Sequence, residues 1–117
     1  MVNSDNPIVN LSVEFALDTI QYVEILEENK KYVIARQLLK SGTSIGANVR
    51  EAQNAESKND FIHKMKIAAK VADETDYWLE LCNRSKQYPD CKELQEKNAV
   101  LLRILNKIIG TSKSRNT

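Results

Sequence analysis

The chain has 117 residues, of which 42% are hydrophobic and 28% charged, and its formal net charge at pH 7 is +1. This length fits a single domain, and three glycines and two prolines are too few for a turn-rich β fold, so the composition favours an all-α protein. The nearly neutral charge argues against a general nucleic-acid coat protein. Because no run approaches roughly 18 consecutive apolar residues and residues 1–7 lack a signal-peptide pattern, we expect a cytoplasmic protein with no membrane partner.

An apolar stripe near the N-terminus predicts a first helix over about residues 8–28. Pro7 suits the first helical turn, where the N–H that proline lacks has no partner within the helix. The apolar arc is wider than a bundle core requires, so part of it either faces another subunit or consists of half-exposed side chains. The stripe comprises Leu11, Phe15, Tyr22 and Leu26, widened by Val13, Leu17, Ile20 and Val23.

A second helix is predicted over about residues 31–54, although a run of small residues at 41–47 interrupts its apolar stripe. Two glycines inside a helix cost about 1 kcal/mol each relative to alanine, so the alternative is a loop. We favour the helix, because a surface without bulk lets a neighbouring helix approach closely. Asn48 follows this run and is either buried, where it would help fix the register of packing, or solvated. The residues predicted to pack are Gly42, Ser44, Gly46, Ala47 and Asn48.

Residues 58–85 are predicted to form the third helix, with Ser57 as its N-cap and Asp60 in a variant of the capping box. The apolar residues of this helix step by four and three, a heptad-like seam typical of bundle packing. Tyr77 and Trp78 lie beside the seam, either as a packing anchor or as a platform on which bases stack. The seam consists of Phe61, Met65, Ala68, Ala72, Thr75, Leu79 and Cys82.

The fourth helix is predicted over about residues 90–109, after a turn that contains Pro89. Gly110 is expected to end this helix, and residues 111–117 are expected to form a disordered basic tail that carries Lys113 and Arg115. Short connections place consecutive helices side by side in opposite directions. The sequence therefore predicts an all-α, antiparallel up-and-down four-helix bundle over residues 1–110.

Catalytic and metal-binding patterns are sparse. Cys82 and Cys91 form no CxxC motif, and a disulfide between them is not expected in a reducing cytosol. Asp60 and His63 resemble one Glu-x-x-His metal motif with the shorter acid, whereas di-metal bundles carry that motif on two helices. A catalytic triad would have to use His63, the single histidine. We predict no catalytic residues, no metal, no cofactor and no enzymatic activity.

Charges of opposite sign alternate along the chain. Residues 1–28 carry six acidic and no basic side chains, a net of −6, and residues 29–72 carry nine basic and three acidic ones, a net of +6. Residues 73–91 carry two basic and five acidic side chains, a net of −3, and residues 92–117 carry six and two, a net of +4. Either this alternation makes neighbouring antiparallel helices attract each other, or it leaves a basic face that meets a polyanion.

The basic residues of the second and third helices fall into two stripes. If the stripes are adjacent, or are repeated around an oligomer, several cations contact phosphates together and binding depends steeply on salt. The lysines have the alternative of pairing with a carboxylate further along the helix, such as Asp73 or Glu74. The first stripe is Arg36, Lys40 and Arg50, and the second is His63, Lys66 and Lys70; these six are the candidate nucleic-acid-binding residues.

Residues 37–79, QLLKSGTSIGANVREAQNAESKNDFIHKMKIAAKVADETDYWL, resemble a bacterial family of four-helix bundles that includes proteins encoded in intervening sequences of 23S ribosomal RNA. The most specific part is SIGAN followed by REAQNAESKNDF, within residues 44–61. The resemblance implies a bundle that assembles into a ring, commonly a pentamer. The chain is also similar to the accessory variability protein of diversity-generating retroelements, and that similarity implies binding to nucleic acid and to a reverse transcriptase.

These observations predict a non-catalytic, oligomeric four-helix-bundle interaction module. We expect it to bind copies of itself and, through a basic surface, RNA, DNA or a nucleic-acid enzyme such as a reverse transcriptase. The alternative is a structural or regulatory protein-binding oligomer whose charges serve helix pairing alone. An enzyme with a metal or a small molecule in the bundle core is the third hypothesis.

Overall fold

The computed structural model describes residues 5–114. They form four α-helices: α1 (Pro7–Glu28), α2 (Tyr32–Gln53), α3 (Lys58–Arg84) and α4 (Lys92–Ser114). Each helix contacts the next one along the chain, and α4 returns to contact α1, so the four helices close around one core. The predicted all-α four-helix bundle is therefore confirmed.

Side-chain caps fix where α1 and α3 begin. The Asn6 side chain accepts a hydrogen bond from the backbone N–H of Ile8 at 3.2 Å, next to a proline in the first turn. The Ser57 hydroxyl accepts from the N–H of Asp60 at 3.0 Å, and the Asp60 carboxylate accepts from the N–H of Glu56 at 3.2 Å. The capping box predicted at α3 is thus present, with a short acid that reaches one residue beyond the cap.

The connection between α1 and α2 contains a strained residue. Lys30 has φ of 63°, and it is the one non-glycine residue with positive φ in the described chain. A side chain in this left-handed region costs about 1 to 2 kcal/mol, because Cβ crowds the following carbonyl oxygen.

We therefore expect Lys30→Gly to raise the free energy of unfolding. The gain should be about 0.5 to 1 kcal/mol, because the relief of strain is partly offset by the greater freedom of glycine in the unfolded chain. Urea denaturation followed by circular dichroism measures this difference. Lys86→Gly, in the connection between α3 and α4, is the matched control and should give no gain. An unchanged or lower midpoint for Lys30→Gly would show that the turn is not strained.

The helix faces that are buried in the core are those that the sequence periodicity predicts. Of the seven residues in the predicted α3 seam, six are buried and Phe61, near the N-terminal end, is half-buried. Phe15 and Leu26 carry the α1 stripe into the core. Leu17 and Ile20, which widen that stripe, remain exposed, so the broad apolar arc of α1 is not fully used within one chain.

Buried polar side chains join the helices at two levels. The hydroxyls of Ser41 on α2 and Thr75 on α3 lie 3.0 Å apart, and Thr75 donates to the carbonyl oxygen of Val71 at 2.9 Å. Asn98 on α4 is fully buried and donates through Nδ2 to the carbonyl oxygen of Ala72 on α3 at 2.9 Å. Among the described residues, Asn98 Oδ1 has no hydrogen-bond partner.

The run of small residues at 41–47 is helical throughout, so the helix predicted there is confirmed and the loop alternative is wrong. Its two glycines face α1. A Cβ at Gly42 would lie 2.7 Å from Thr19 Cγ2, closer than real carbon contacts allow, and a Cβ at Gly46 would lie 3.3 Å from the carbonyl oxygen of Ser12. The absence of side chains at these two positions therefore sets the distance between α1 and α2.

The other three residues predicted to pack, Ser44, Ala47 and Asn48, do not form this close contact with α1. Ser44 donates to the carbonyl oxygen of Lys40 at 2.6 Å, and Asn48 donates to that of Ser44 at 2.9 Å, so both bond within α2. Asn48 is half-buried, and Ala47 is exposed beside α1. The close approach depends on Gly42 and Gly46 rather than on the whole run.

The end of α4 differs from the prediction. The helix continues through Gly110 to Ser114. Gly110 does not adopt the positive φ of a glycine that ends a helix, and the Ser114 hydroxyl donates to its carbonyl oxygen at 3.0 Å. Residues 111–114 are therefore helical rather than disordered, and the rest of the predicted tail, including Arg115, lies outside the described residues.

No helix within residues 5–114 is both long enough and apolar enough to cross a membrane.

Candidate nucleic-acid interface

Ion pairs between helices use cations other than the six candidates. Lys64 on α3 donates to Glu51 on α2 at 3.4 Å, and Lys97 on α4 donates to Asp18 on α1 at 2.7 Å. The bond to Asp18 raises the pKa of Lys97, because the carboxylate favours the charged ammonium. The remaining ion pairs in the described chain are Arg84 with Glu80 and Lys97 with Glu93, both within one helix.

The first candidate stripe lies on the outer side of α2. Arg36, Lys40 and Arg50 are all exposed. None of them forms an ion pair with a carboxylate of residues 5–114. Arg50 also lines the groove between α1 and α2, which places it on the side of α2 that faces α1.

The second candidate stripe lies at the seam between α3 and α4. His63 and Lys66 are exposed and line an open cleft of about 340 Å³, and Lys113 of α4 lines the same cleft. The neighbouring Lys113 lowers the pKa of Lys66, because one ammonium group disfavours a second positive charge beside it. Lys70 follows one turn along α3 and is also exposed.

The two stripes do not form one continuous patch within a chain. Arg50 lines a groove with α1, whereas His63 and Lys66 line a cleft with α4, and α2 contacts α1 and α3 but not α4. A single ligand that contacts both stripes therefore has to pass around the outside of α3 or to bridge two copies of the chain.

The carboxylates named as alternative partners of the lysines are not paired with them. Glu74 accepts a hydrogen bond from Trp78 Nε1 at 3.1 Å, and within residues 5–114 neither Lys66 nor Lys70 forms an ion pair. Trp78 is partly buried and packs against the core. The Tyr77 ring contacts the Trp78 ring edge-on, with ring centroids 5.3 Å apart. Trp78 is thus a packing residue, whereas the Tyr77 ring remains exposed.

The groove between α1 and α2 that Arg50 lines is largely apolar. It has a volume of about 420 Å³, and Val13, Ala16, Leu17 and Ala47 supply its apolar surface. Leu17 is 56% exposed, and Val33, on the outer side of α2, is 72% exposed. These exposed apolar side chains belong to the helix pair that carries the first candidate stripe.

Metal ligands and thiols are the groups that bear on catalysis. Within residues 5–114 no group of three His, Cys, Asp or Glu side chains is placed to hold a metal ion. Cys82 and Cys91 are free, buried thiols. The pKa of Cys91 is raised, because Cys82 shares a hydrogen bond with it and because burial disfavours the thiolate. A buried thiol that resists ionisation is a weak nucleophile, whereas the hydrogen bond with Cys91 lowers the pKa of Cys82.

Sequence reasoning misses two residues that matter in the structure. Lys113 is assigned to a disordered tail because Gly110 looks like a helix end, yet the helix carries Lys113 to Lys66. Asn98 lies four residues after Leu94 and three before Leu101, the spacing of a buried helix face. This spacing is the signal that could have identified Asn98 as buried.

Comparison with known proteins identifies the family. A protein from Bacteroides thetaiotaomicron, described as of unknown function and from the S23 ribosomal protein family, has a crystal structure similar to this fold. The two sequences are 40% identical, the match covers 87% of this chain and 97% of that one, and the TM-score is 0.79. No match was found among curated proteins. The profile of the family described as 23S rRNA-intervening sequence protein matches residues 4–107. The chain belongs to this family of 23S rRNA-intervening sequence proteins.

Proposed function

We propose that the chain is a non-catalytic, homo-oligomeric module that binds RNA or DNA through its exposed cations. One observation carries this proposal: within residues 5–114 none of the six candidate residues forms an ion pair. Cations that hold helices together have carboxylate partners, as Lys64 and Lys97 do. Exposed cations without such partners are free to contact phosphates, so helix pairing does not account for the basic stripes.

Oligomerisation supplies the affinity that one chain lacks. The first stripe presents three cations and the second presents two lysines and a histidine, and a few phosphate contacts give only weak binding at physiological salt. Copying the stripe around a symmetry axis makes later contacts intramolecular and raises the overall affinity without any new contact. We propose that this assembly is a ring, with the pentamer as the expected form, and that it forms through the exposed apolar residues of α1 and α2.

Light scattering after size exclusion tests the assembly. The expected mass is that of several 13.3 kDa chains. Leu17→Asp combined with Val33→Asp should lower this mass, because charges would enter the apolar contact while the exposed positions leave the fold of each chain intact. Tyr77→Asp is the matched control, since Tyr77 is also 56% exposed but lies on α3. A wild-type monomer would contradict the assembly.

Charge reversal tests the nucleic-acid interface. We expect Arg36→Glu, Lys40→Glu and Arg50→Glu together to weaken binding to a single-stranded oligonucleotide by at least about 100-fold, because each lost contact is worth about 1 kcal/mol or more. Fluorescence anisotropy at low salt measures the affinity. The control reverses three exposed lysines in or beside the connections between helices, Lys30, Lys86 and Lys92, and changes the net charge equally.

The two variants separate a specific surface from net charge. If the control weakens binding as much as the first variant, the stripe on α2 is not the interface. If the wild-type protein binds no oligonucleotide at low salt, the proposal of nucleic-acid binding fails.

The groove between α1 and α2 supports a second function, a structural or regulatory oligomer that binds protein. Its apolar lining and the exposed Leu17 and Val33 are suited to a protein partner, and Arg50 and Glu51, which line the same groove, offer that partner an ion pair of either sign. This function predicts self-association that survives the three charge reversals, with no retention of nucleic acid. An oligomer that also binds oligonucleotides favours the first proposal.

A further inference from the structure

The cleft between α3 and α4 concentrates positive charge on a small area. Asn59, Ile62, His63 and Lys66 line it from α3, and Lys113 lines it from the last turn of α4. Its volume of about 340 Å³ is enough for a phosphate group and part of a sugar. The cleft thus differs from the stripe on α2, where the cations are spread along a convex helix.

Two lysines from different helices, Lys66 of α3 and Lys113 of α4, line the cleft. The shared cleft places Lys113 beside Lys66, and its positive charge lowers the pKa of Lys66. In the described chain neither lysine forms an ion pair. Two lysines and a histidine that line one cleft provide several N–H donors for an anion.

The nearby acidic residue on α3 is already engaged. Asp60 lies in the first turn of α3, and its carboxylate accepts a hydrogen bond from the N–H of Glu56 as part of the helix cap. Within residues 5–114 no carboxylate lines the cleft. The donors that remain are the two ammonium groups, the His63 imidazole and the Asn59 amide, which match an anion with several acceptor oxygens.

We infer that this cleft binds the terminal phosphate of a nucleic-acid strand. A terminal phosphate monoester carries about −1.5 to −2 charge and three terminal oxygens, which suits two ammonium groups, whereas an internal phosphodiester carries a single charge and two such oxygens. The inference rests on the proposed nucleic-acid binding and gives the cleft a different role from the stripe on α2. The cleft recognises the end of a strand, and the stripe contacts its backbone.

The test compares two oligonucleotides of one sequence, one with a 5′-phosphate and one with a 5′-hydroxyl. Anisotropy of a 3′-fluorescein label gives both affinities for the full-length protein. We expect the phosphorylated strand to bind about tenfold more tightly, because one additional pair of charge-assisted contacts in an open cleft is worth about 1.4 kcal/mol. Inorganic phosphate at millimolar concentration should reduce this preference, since it carries the same group.

Two double variants assign the preference to the cleft. Lys66→Gln with Lys113→Gln should abolish the tenfold difference, so that the variant binds the phosphorylated strand and the hydroxyl strand with equal affinity. Lys86→Gln with Lys107→Gln removes the same charge from exposed positions outside the cleft and should preserve the difference.

The failures of the two proposals are distinguishable. Equal affinity for both strands, or a preference that survives Lys66→Gln with Lys113→Gln, would overturn the terminal-phosphate site and leave the proposed nucleic-acid binding in place. Failure of both strands to bind at low salt would overturn both.

Discussion

Asn98→Asp is expected to destabilise the protein by about 3 to 5 kcal/mol at pH 7, which is the usual cost of a buried charge without a partner. Asn98 is fully buried and donates through Nδ2 to the carbonyl oxygen of Ala72 on α3. A carboxylate at this position loses that donor and points an oxygen at the same carbonyl. Its second oxygen falls where Asn98 Oδ1 has no hydrogen-bond partner among the described residues.

Thermal and urea denaturation measure this loss, and pH gives it a specific signature. Burial raises the folded-state pKa of the introduced carboxyl above its unfolded value of about 3.9. The folded state then binds the proton more tightly, so the destabilisation relative to wild type shrinks as pH falls through the folded-state pKa and grows as pH rises.

Asn106→Asp is the matched control for this variant. It makes the same chemical change two turns further along α4, where the side chain is exposed. We expect an effect within about 0.5 kcal/mol and no comparable dependence on pH. Equal effects of the two variants would show that Asn98 is not buried between α3 and α4.

Gly42→Ala is expected to lower the free energy of unfolding by about 1 to 3 kcal/mol, although alanine favours a helix over glycine by about 1 kcal/mol. The added Cβ would lie 2.7 Å from Thr19 Cγ2 and 3.0 Å from Thr19 Oγ1. Thr19 cannot easily rotate away, because it is fully buried and its hydroxyl donates to the carbonyl oxygen of Phe15 at 2.8 Å. The helices α1 and α2 must therefore separate.

Gly110→Ala, in contrast, is expected to raise the free energy of unfolding. Nothing lies within 4 Å of a Cβ at Gly110, which is an exposed residue inside α4, so only helix propensity changes and stability should rise by up to about 1 kcal/mol. Combining Gly42→Ala with Thr19→Ala should recover part of the loss, since the clashing atoms are removed. Urea midpoints measure all three. If Gly42→Ala is as stable as the wild type, α1 and α2 do not approach as closely as described.

Local sequence rules predict the helices α1, α2 and α3, and α2 illustrates the reason. Its apolar stripe at Leu38, Ile45 and Val49 continues through the glycines, and periodicity is a stronger signal than the weak helix propensity of glycine. Local sequence does not show where α1 and α2 come closest, because this depends on Thr19 and Ser12 of α1 lying opposite the two glycines. The sequence therefore predicts that the run packs, but not which of its residues do so.

The end of α4 is where local rules fail. Gly after an apolar helix is a common end signal, but a glycine with nothing nearby also fits inside an exposed helix at a modest cost. The consequence for the candidate site is large, since the last turn brings Lys113 to Lys66. The exposure of the six candidate cations follows from their position opposite the apolar stripes, whereas the convergence of Lys66 and Lys113 depends on how α3 and α4 pack.

The separation of the two stripes also has a physical cause. The first stripe lies on a helix whose neighbours are α1 and α3, and the second lies beside α4, so the bundle directs them to different sides. Periodicity assigns each residue to a face of its own helix, but the neighbours of that face depend on the order of helices around the core. A strand whose backbone follows α2 and whose end enters the cleft would use both stripes for different contacts.

The central claim is that the bundle leaves cations without carboxylate partners, so that they can contact phosphates. The most direct test is the salt dependence of the affinity for an oligonucleotide. The measurement uses a single-stranded oligonucleotide with a 5′-hydroxyl, so that backbone contacts alone contribute. Because each neutralised phosphate contributes about −0.7 to the slope of log affinity against log salt concentration, contacts from one three-residue stripe predict a slope of about −2 or steeper. A slope near zero, or no binding at the lowest salt concentration, would contradict the account.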